Sequence, residues 1–207
     1  MKATAETFGI AGPEFLPPVW PDPPAPLPAG EDVAWLAVVQ ATLDLTHGDT
    51  SSAVEALAAA AAASHRFPPA VEASRAFQVG RLQILRGDVE GGLRAMEAGL
   101  RAAEIAPMVE MAPPTFFHRI FLAEAHAEHP PTRGRGIEEL RGLLGCCPPI
   151  EPLIRLYLGR ALEAEGQQRA ALVQYGIFAM QTDRAEGSLA AMNAEARRAI
   201  KRLAVEG

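Results

Sequence analysis

The chain has 207 residues and a formal net charge of −6 at pH 7; hydrophobic residues make up 49% of it and aromatic residues 6%. An acidic chain is not expected to bind nucleic acid or an anionic membrane by general electrostatic attraction. No uninterrupted apolar run is long enough for membrane insertion as a spanning helix. Because aromatic residues are few, alanine and leucine must fill much of the core, which favours closely packed helices over a β-sheet.

The N-terminal part of the chain differs in composition from everything that follows it. Eight of the eighteen prolines lie between Pro13 and Pro28. Proline removes an amide donor and disfavours helix at the preceding residue, so we predict a proline-rich N-terminal arm over residues 1–30. Its large apolar residues, among them Phe15 and Trp20, leave two interpretations open: a mobile tail, or a segment that docks on its own domain or on a partner.

Beyond this arm the pattern is helical. Short turns at Gly48, Gly87 and Gly166 let glycine take a positive φ at a helix end, and proline pairs such as Pro130-Pro131 stop helices elsewhere. No stretch shows the sustained alternation of a β-strand. The predicted helices cover residues 32–47, 51–66, 70–86, 89–106, 114–129, 135–146, 151–165, 168–182 and 185–204.

Three helix–turn–helix segments repeat one arrangement around these glycine turns. A small residue precedes each turn, another small residue follows it, and a larger apolar residue comes one helical turn later. This spacing places a small side chain of the first helix opposite one of the second, so that the two helices cross closely. The residues are Ala41, Ala53 and Leu57, then Gly80, Gly92 and Met96, then Gly159, Ala171 and Tyr175.

This order of residues resembles the tetratricopeptide repeat (TPR), a helix–turn–helix unit of about 34 residues. The segment 152–185 matches the family pattern best, although Arg155 replaces an expected aromatic residue and Asp183 replaces the closing proline. The matching positions in that segment are Leu158, Gly159, Gly166, Ala171, Leu172 and Tyr175.

The resemblance implies an all-α fold over residues 31–207. The fold would be a right-handed superhelical array of about four TPR-like helical hairpins with a C-terminal capping helix. The last predicted helix, 185–204, is expected to cover the exposed edge of the final hairpin; a dimerisation helix or a basic docking surface is the alternative for it.

In the TPR family the first helices of the hairpins line a concave surface, which commonly binds extended peptides or partner helices. Carried over residue by residue, the resemblance gives an unusually apolar groove with Arg81 and Arg160 as isolated cations. The alternative for each position is packing in the core between hairpins. The candidate partner-binding residues are Trp35, Val38, Phe77, Gln78, Arg81, Phe117, Phe121, Glu124, Tyr157 and Arg160.

The resemblance therefore predicts a scaffold, adaptor or chaperone that holds an extended or helical segment of a partner protein, with no cofactor and no enzymatic activity. A secretion-type chaperone for an exported partner is the alternative within this class. The segment from Phe15 to Trp20 is a candidate for docking into the chain's own groove as a pseudo-ligand, and a homo-oligomer is a further candidate.

Two cysteines and the first residues bear on location. Cys146 and Cys147 are adjacent, so they give no disulfide framework, and the opening segment MKATAETFGIAG lacks the apolar core of a secretory signal. A reducing compartment is the simplest interpretation. We therefore expect a cytoplasmic protein.

A metal-dependent hydrolase is the alternative from a different functional class. His118, Glu124, His126 and His129 form the densest group of reactive residues in the sequence. Their spacing does not give the His-Glu-x-x-His arrangement that brings two imidazoles to one zinc ion. Surface histidines and a buried thiol explain the group more simply, and we predict no metal site there.

Overall fold

Segments rich in alanine and leucine fold as helices throughout the described part of the chain. The computed structural model describes residues 31–46, 48–63, 69–105, 115–146 and 148–206. Within these residues the fold is all-α, with nine α-helices, one short 3-10 helix and no strand. The α-helices are α1 (Glu31–Thr46), α2 (Thr50–Ala63), α3 (Pro69–Leu85), α4 (Val89–Ile105), α5 (Thr115–Glu128), α6 (Arg133–Leu143), α7 (Glu151–Ala164), α8 (Gln168–Gln181) and α9 (Gly187–Glu206), and the 3-10 helix is Pro130–Thr132.

The all-α prediction and the number of helices are confirmed for these residues. One difference concerns α6, which was expected at 135–146. A 3-10 turn leads directly into α6 at Arg133, and the helix ends at Leu143, shortly before Gly145 takes a φ of +78°. The helix ends there because Leu144 takes an extended backbone, with φ −61° and ψ 135°. The predicted arm over 1–30, with Phe15 and Trp20, lies outside the described residues.

The described residues form two compact units. The first comprises 31–119 and the second 120–206, with the boundary inside α5. Each unit is described by itself below. The superhelical arrangement and the single repeat domain over 31–207 stay predictions.

The three predicted glycine turns share one hydrogen-bond pattern. Gly48, Gly87 and Gly166 take φ values of +77°, +95° and +75°. In each turn the glycine N–H donates to the carbonyl three residues earlier, and the next N–H donates to the carbonyl five residues earlier, at 2.8–3.2 Å. This pair of bonds is the Schellman motif, which satisfies the last carbonyls of the first helix. The prediction of positive φ at these glycines is confirmed.

In the first unit, small residues face each other across both hairpins. α1 packs on α2, and α3 packs on α4 and also contacts α1 and α2. Ala41, Ala53 and Leu57 lie in one buried cluster between α1 and α2. Between α3 and α4 the backbones touch, since a Cβ built on Gly80 would lie 2.7 Å from the carbonyl oxygen of Gly92.

In the second unit, α7 packs on α6 and α8, and α9 packs on α8. A Cβ built on Gly159 would lie 2.9 Å from the ring of Tyr175, which fills the space beside it. Gly136 makes a comparable approach, because a Cβ there would overlap the backbone of Ala127 on α5. Asn193 of α9 is buried, and its amide nitrogen donates to the carbonyl oxygen of Ala179 at 2.9 Å. This bond fixes α9 against α8.

Candidate functional site: two clefts beside helix α7

A cleft of about 230 Å³ opens between α5, the start of α6 and α7 in the second unit; we call it the α5–α7 cleft. Three of its lining residues, Glu124, Tyr157 and Arg160, belong to the groove that the sequence predicts. The structure therefore brings these three predicted residues together on one surface. The full lining consists of Glu124, Ala127, Glu128, Arg133, Tyr157, Arg160, Ala161 and Ala164.

Alanine side chains create the space in this cleft. Ala127 of α5 and Ala161 of α7 are buried, whereas Ala164 at the end of α7 is exposed. A methyl group extends so little from the backbone that the two helices leave an opening, which a larger side chain at the same position would fill. The high alanine content of the chain therefore leaves an open space between α5 and α7.

Arg160 is not the isolated cation that the sequence suggests. Its guanidinium group forms two hydrogen bonds with the carboxylate of Glu195 on α9, at 2.8 and 2.7 Å. It also lies over the ring of Tyr157, 5.8 Å from the ring centroid. Burial alone would lower the pKa of Arg160, but the bonds and charge of Glu195 outweigh burial and raise it. Arg160 is consequently a fixed, charged group at the edge of the cleft.

Arg133 holds the start of α6 beside the cleft. Its Nε donates to the carbonyl oxygen of Ala127 at 3.1 Å. Its Nη1 lies 3.8 Å from a carboxylate oxygen of Glu165, just beyond the end of α7. The side chain thereby connects three elements of the second unit.

A second cleft, of about 480 Å³, opens on the other side of α7; we call it the α7–α9 cleft. It shares Arg160 and Ala164 with the α5–α7 cleft, so the two adjoin along α7. Its lining consists of Arg160, Glu163, Ala164, Tyr175, Glu195, Arg198, Ala199 and Arg202.

Two of these lining groups converge on Glu163. The hydroxyl of Tyr175 donates to the Glu163 carboxylate at 2.9 Å, and Arg202 forms an ion pair with the other carboxylate oxygen. Burial and the hydrogen bond to Glu163 raise the pKa of Tyr175 above its ordinary value. The phenol is therefore a neutral hydrogen-bond donor at physiological pH, with a structural role beside the packing contact to Gly159.

Several predicted groove residues lie in the interior. Val38, Phe77, Gln78 and Phe121 are each at most 5% exposed, so these side chains offer a partner no accessible surface. This corrects their expected position: they pack in the core, which is the alternative that the sequence left open. The side chain of Trp35 lies outside the described part of the structure.

The other two predicted groove residues lie in the first unit. Arg81 donates from Nη1 to the side-chain oxygen of Gln78 at 3.0 Å, so it is not an isolated cation either. Phe117 is partly buried, and the centroid of its ring lies 4.0 Å from the ring centroid of Phe116. Both residues remain candidates, but neither lines the α5–α7 cleft or the second cleft beside α7.

His118 is a buried histidine, which corrects the expectation of a surface side chain at this position. It is 2% exposed, and its ring lies 4.5 Å from the ring of Phe77. Neither ring nitrogen has a hydrogen-bond partner in the described part of the chain. Burial, with a smaller contribution from the charge of Arg81, lowers the pKa of His118 to about 4. The imidazole is therefore neutral at pH 7.

The histidines named for the hydrolase alternative do not assemble a metal site within the described residues. No group of three or more potential ligand side chains occurs there. His126 is buried, and its Nδ1 lies 2.7 Å from Glu139 Oε2. Burial alone would raise the pKa of Glu139, but its hydrogen bonds with His126 and Arg135 reverse that effect and lower it.

The structure adds site residues that the sequence prediction missed. Glu128 is one helical turn after Glu124 on α5, so its i, i+4 spacing was a usable signal. Glu195 and Arg198 lie on the last helix, far along the chain from Arg160. Only the packing of α9 beside α7 and α8 reveals their place in the site.

Comparison with known proteins gave no match for this chain among protein-family models, curated proteins or solved structures. Among the helices that the structure describes, none combines the length and apolar character needed to cross a membrane.

Proposed function

We propose that this chain is a TPR-like helical-hairpin protein that binds a partner protein and has no enzymatic activity. It holds an extended or helical segment of that partner in the α5–α7 cleft, as a scaffold, adaptor or chaperone. The observation that carries the proposal is the convergence of Glu124, Tyr157 and Arg160 on this cleft. The family resemblance selects these residues without reference to the cleft.

The hairpin geometry supports the repeat interpretation. Three hairpins use the same Schellman turn at Gly48, Gly87 and Gly166. Two of them also bring their helices together at a glycine, Gly80 in the first unit and Gly159 in the second. Repeated hairpins of this kind stack into arrays whose first helices form a binding surface.

The chemistry of the cleft suits a protein ligand. The exposed Ala164 and the partly exposed ring of Tyr157 provide apolar surface, and Tyr157 and Arg160 belong to the residue types that most often dominate binding energy in protein interfaces. The bidentate pair between Arg160 and Glu195 fixes the guanidinium before a partner arrives, which reduces the entropy lost on binding. Charged groups around an apolar centre are the usual composition of an interface.

We also propose a cytoplasmic location. Cys146 is a free cysteine with an exposed side chain. An exposed thiol persists most readily in a reducing compartment. Fractionation of cells that produce the tagged full chain would test this part of the proposal directly.

The test of binding uses peptides selected from a library of short random sequences on the full chain. Affinity of a selected peptide is then measured by fluorescence anisotropy for wild type and for Ala164→Phe. Ala164 is exposed and lines the cleft, so a phenyl ring there fills space that the peptide needs. We expect binding to weaken about tenfold or more, equivalent to about 1.4 kcal/mol.

The matched control is Ala204→Phe. Ala204 is also an exposed alanine on a helix, but it lines neither cleft. We expect it to bind the peptide as wild type does. Failure to select any peptide, or equal affinity of wild type and Ala164→Phe, would contradict the proposed function.

A further inference from the structure

The α7–α9 cleft carries an excess of positive charge in an acidic protein. Among the residues that the structure describes, its charged lining consists of three arginines and two glutamates. The whole chain, in contrast, has a formal net charge of −6. This local reversal of sign distinguishes the cleft from the average surface of the protein.

The ion pairs show which arginine provides the excess. Arg160 pairs with Glu195 and Arg202 pairs with Glu163. Both glutamates are thus engaged, and Arg198 forms no ion pair with any side chain in the described part of the chain. It is exposed on α9 and lines the cleft.

Arg198 is the guanidinium in this cleft that an incoming anion can reach without breaking an ion pair. Arg202 is four residues from Arg198 on α9, a spacing at which side chains on a helix are neighbours, but its charge is engaged with Glu163. The guanidinium group is also the cation best suited to bind a carboxylate, because its donors match the two carboxylate oxygens.

We propose that the α7–α9 cleft accepts an acidic side chain, aspartate or glutamate, of the peptide segment whose neighbouring residues occupy the α5–α7 cleft. Arg198 is the residue that pairs with it. The proposal depends on the proposed function, because it assigns a second contact to the same bound segment. Continuity between the clefts at Arg160 and Ala164 lets one extended segment contact both. Through Arg198, α9 would then contribute to recognition of the bound segment as well as covering α8.

The experiment measures coupling between Arg198 and an acidic residue of the ligand. Peptides selected on the full wild-type chain are sequenced, and one with an enriched Asp or Glu is paired with its Asn or Gln counterpart. Both peptides are titrated against wild type and Arg198→Gln by fluorescence anisotropy at low salt. Arg169→Gln is the matched control, since Arg169 is an exposed arginine on α8 that lines neither cleft.

We expect the acidic peptide to bind wild type and Arg169→Gln about threefold to fivefold more tightly than the amide peptide. Arg198→Gln should bind the two peptides equally. The preference should also shrink as salt is added, because the pair is exposed to solvent.

Two results overturn this inference and leave the proposed function intact. One is selection of peptides without an enriched acidic residue, and the other is an acidic preference that persists in Arg198→Gln. If no peptide is selected at all, the proposed function fails together with this inference.

Discussion

Gly80 and Gly92 place the backbones of α3 and α4 in direct contact. A Cβ on Gly80 would lie 2.7 Å from the carbonyl oxygen of Gly92, and a Cβ on Gly92 would lie 2.6 Å from the carbonyl oxygen of Gly80. A carbon and an oxygen that are not bonded to each other do not approach so closely, so replacing either glycine by alanine must push the two helices apart. Glycine at these two positions is therefore a packing requirement, although it lowers the helix propensity of both segments.

We predict that Gly80→Ala lowers the free energy of unfolding by about 1–3 kcal/mol, because backbone atoms must move to admit the methyl group. Urea unfolding followed by circular dichroism measures the change.

Gly176→Ala on α8 is the matched control. A Cβ there would meet nothing within 4 Å, so the variant should gain about 0.5–1 kcal/mol from helix propensity. If Gly80→Ala were as stable as wild type, the close approach of α3 and α4 would be contradicted.

The turn at Gly166 gives a second prediction. Its φ of +75° lies in the left-handed region, where a Cβ is unfavourable and asparagine is tolerated better than other residues. Gly166→Ala should lower the free energy of unfolding by about 1 kcal/mol, and Gly166→Asn should lower it less. Thermal unfolding of the two variants checks the order; an alanine variant that melts above the asparagine variant would contradict the assigned turn.

His118 predicts a loss of stability in mild acid. Its pKa of about 4 in the folded protein lies below the ordinary value of 6.5. Between these values the unfolded chain binds a proton that the folded protein excludes, so the free energy of unfolding falls as pH decreases from about 6.5 to about 4. The integrated effect of this group is about 3 kcal/mol.

His118→Leu should remove that part of the pH dependence and should not reduce stability at pH 7.5, since neither ring nitrogen has a hydrogen-bond partner among the described residues. Urea unfolding at several pH values measures how the free energy of unfolding depends on pH. His129→Asn removes a less buried histidine, and the free energy of unfolding of this variant should keep most of its dependence on pH. An unchanged slope in His118→Leu would show that the imidazole is accessible to water.

Glu139 makes the stability of the fold depend on pH in a lower range than His118 does. Its pKa is lowered in the folded protein, so its stabilising effect is complete above its unfolded value of about 4.5 and is lost as pH falls through the folded value. Glu139→Gln should cost about 1 kcal/mol at pH 7, because the charged partner of His126 and Arg135 is lost. The difference from wild type should shrink as pH falls below about 4.5 and should disappear once the pH is below the lowered pKa of Glu139 in the folded protein, where the carboxyl is neutral. A difference that persists there would mean that the carboxylate charge is not responsible.

The sequence predicted the hairpins well because their determinants are local. A glycine turn and the small residues on either side of it fix one hairpin with no information from elsewhere in the chain. Gly136 has the same physical role, but no glycine turn precedes it, so the local pattern does not identify it. Its contact with the backbone of Ala127 is visible only once α5 and α6 are packed together.

The candidate site was predicted less completely, because accessibility depends on tertiary packing. The position of Phe77 and Phe121 on a first helix did not reveal that both rings are buried. The charge on Arg160 was evident in the sequence, but its partner Glu195 is 35 positions away. No local pattern connects residues at such a separation.

Nuclear magnetic resonance tests most directly whether a selected peptide binds in the α5–α7 cleft. Backbone amide shifts of the full chain are recorded with and without a peptide selected on wild type. We expect the largest shifts at residues lining the α5–α7 cleft, around Glu124, Tyr157 and Arg160. Largest shifts on the exposed apolar surface of α8, at Val173 and Met180, would contradict it.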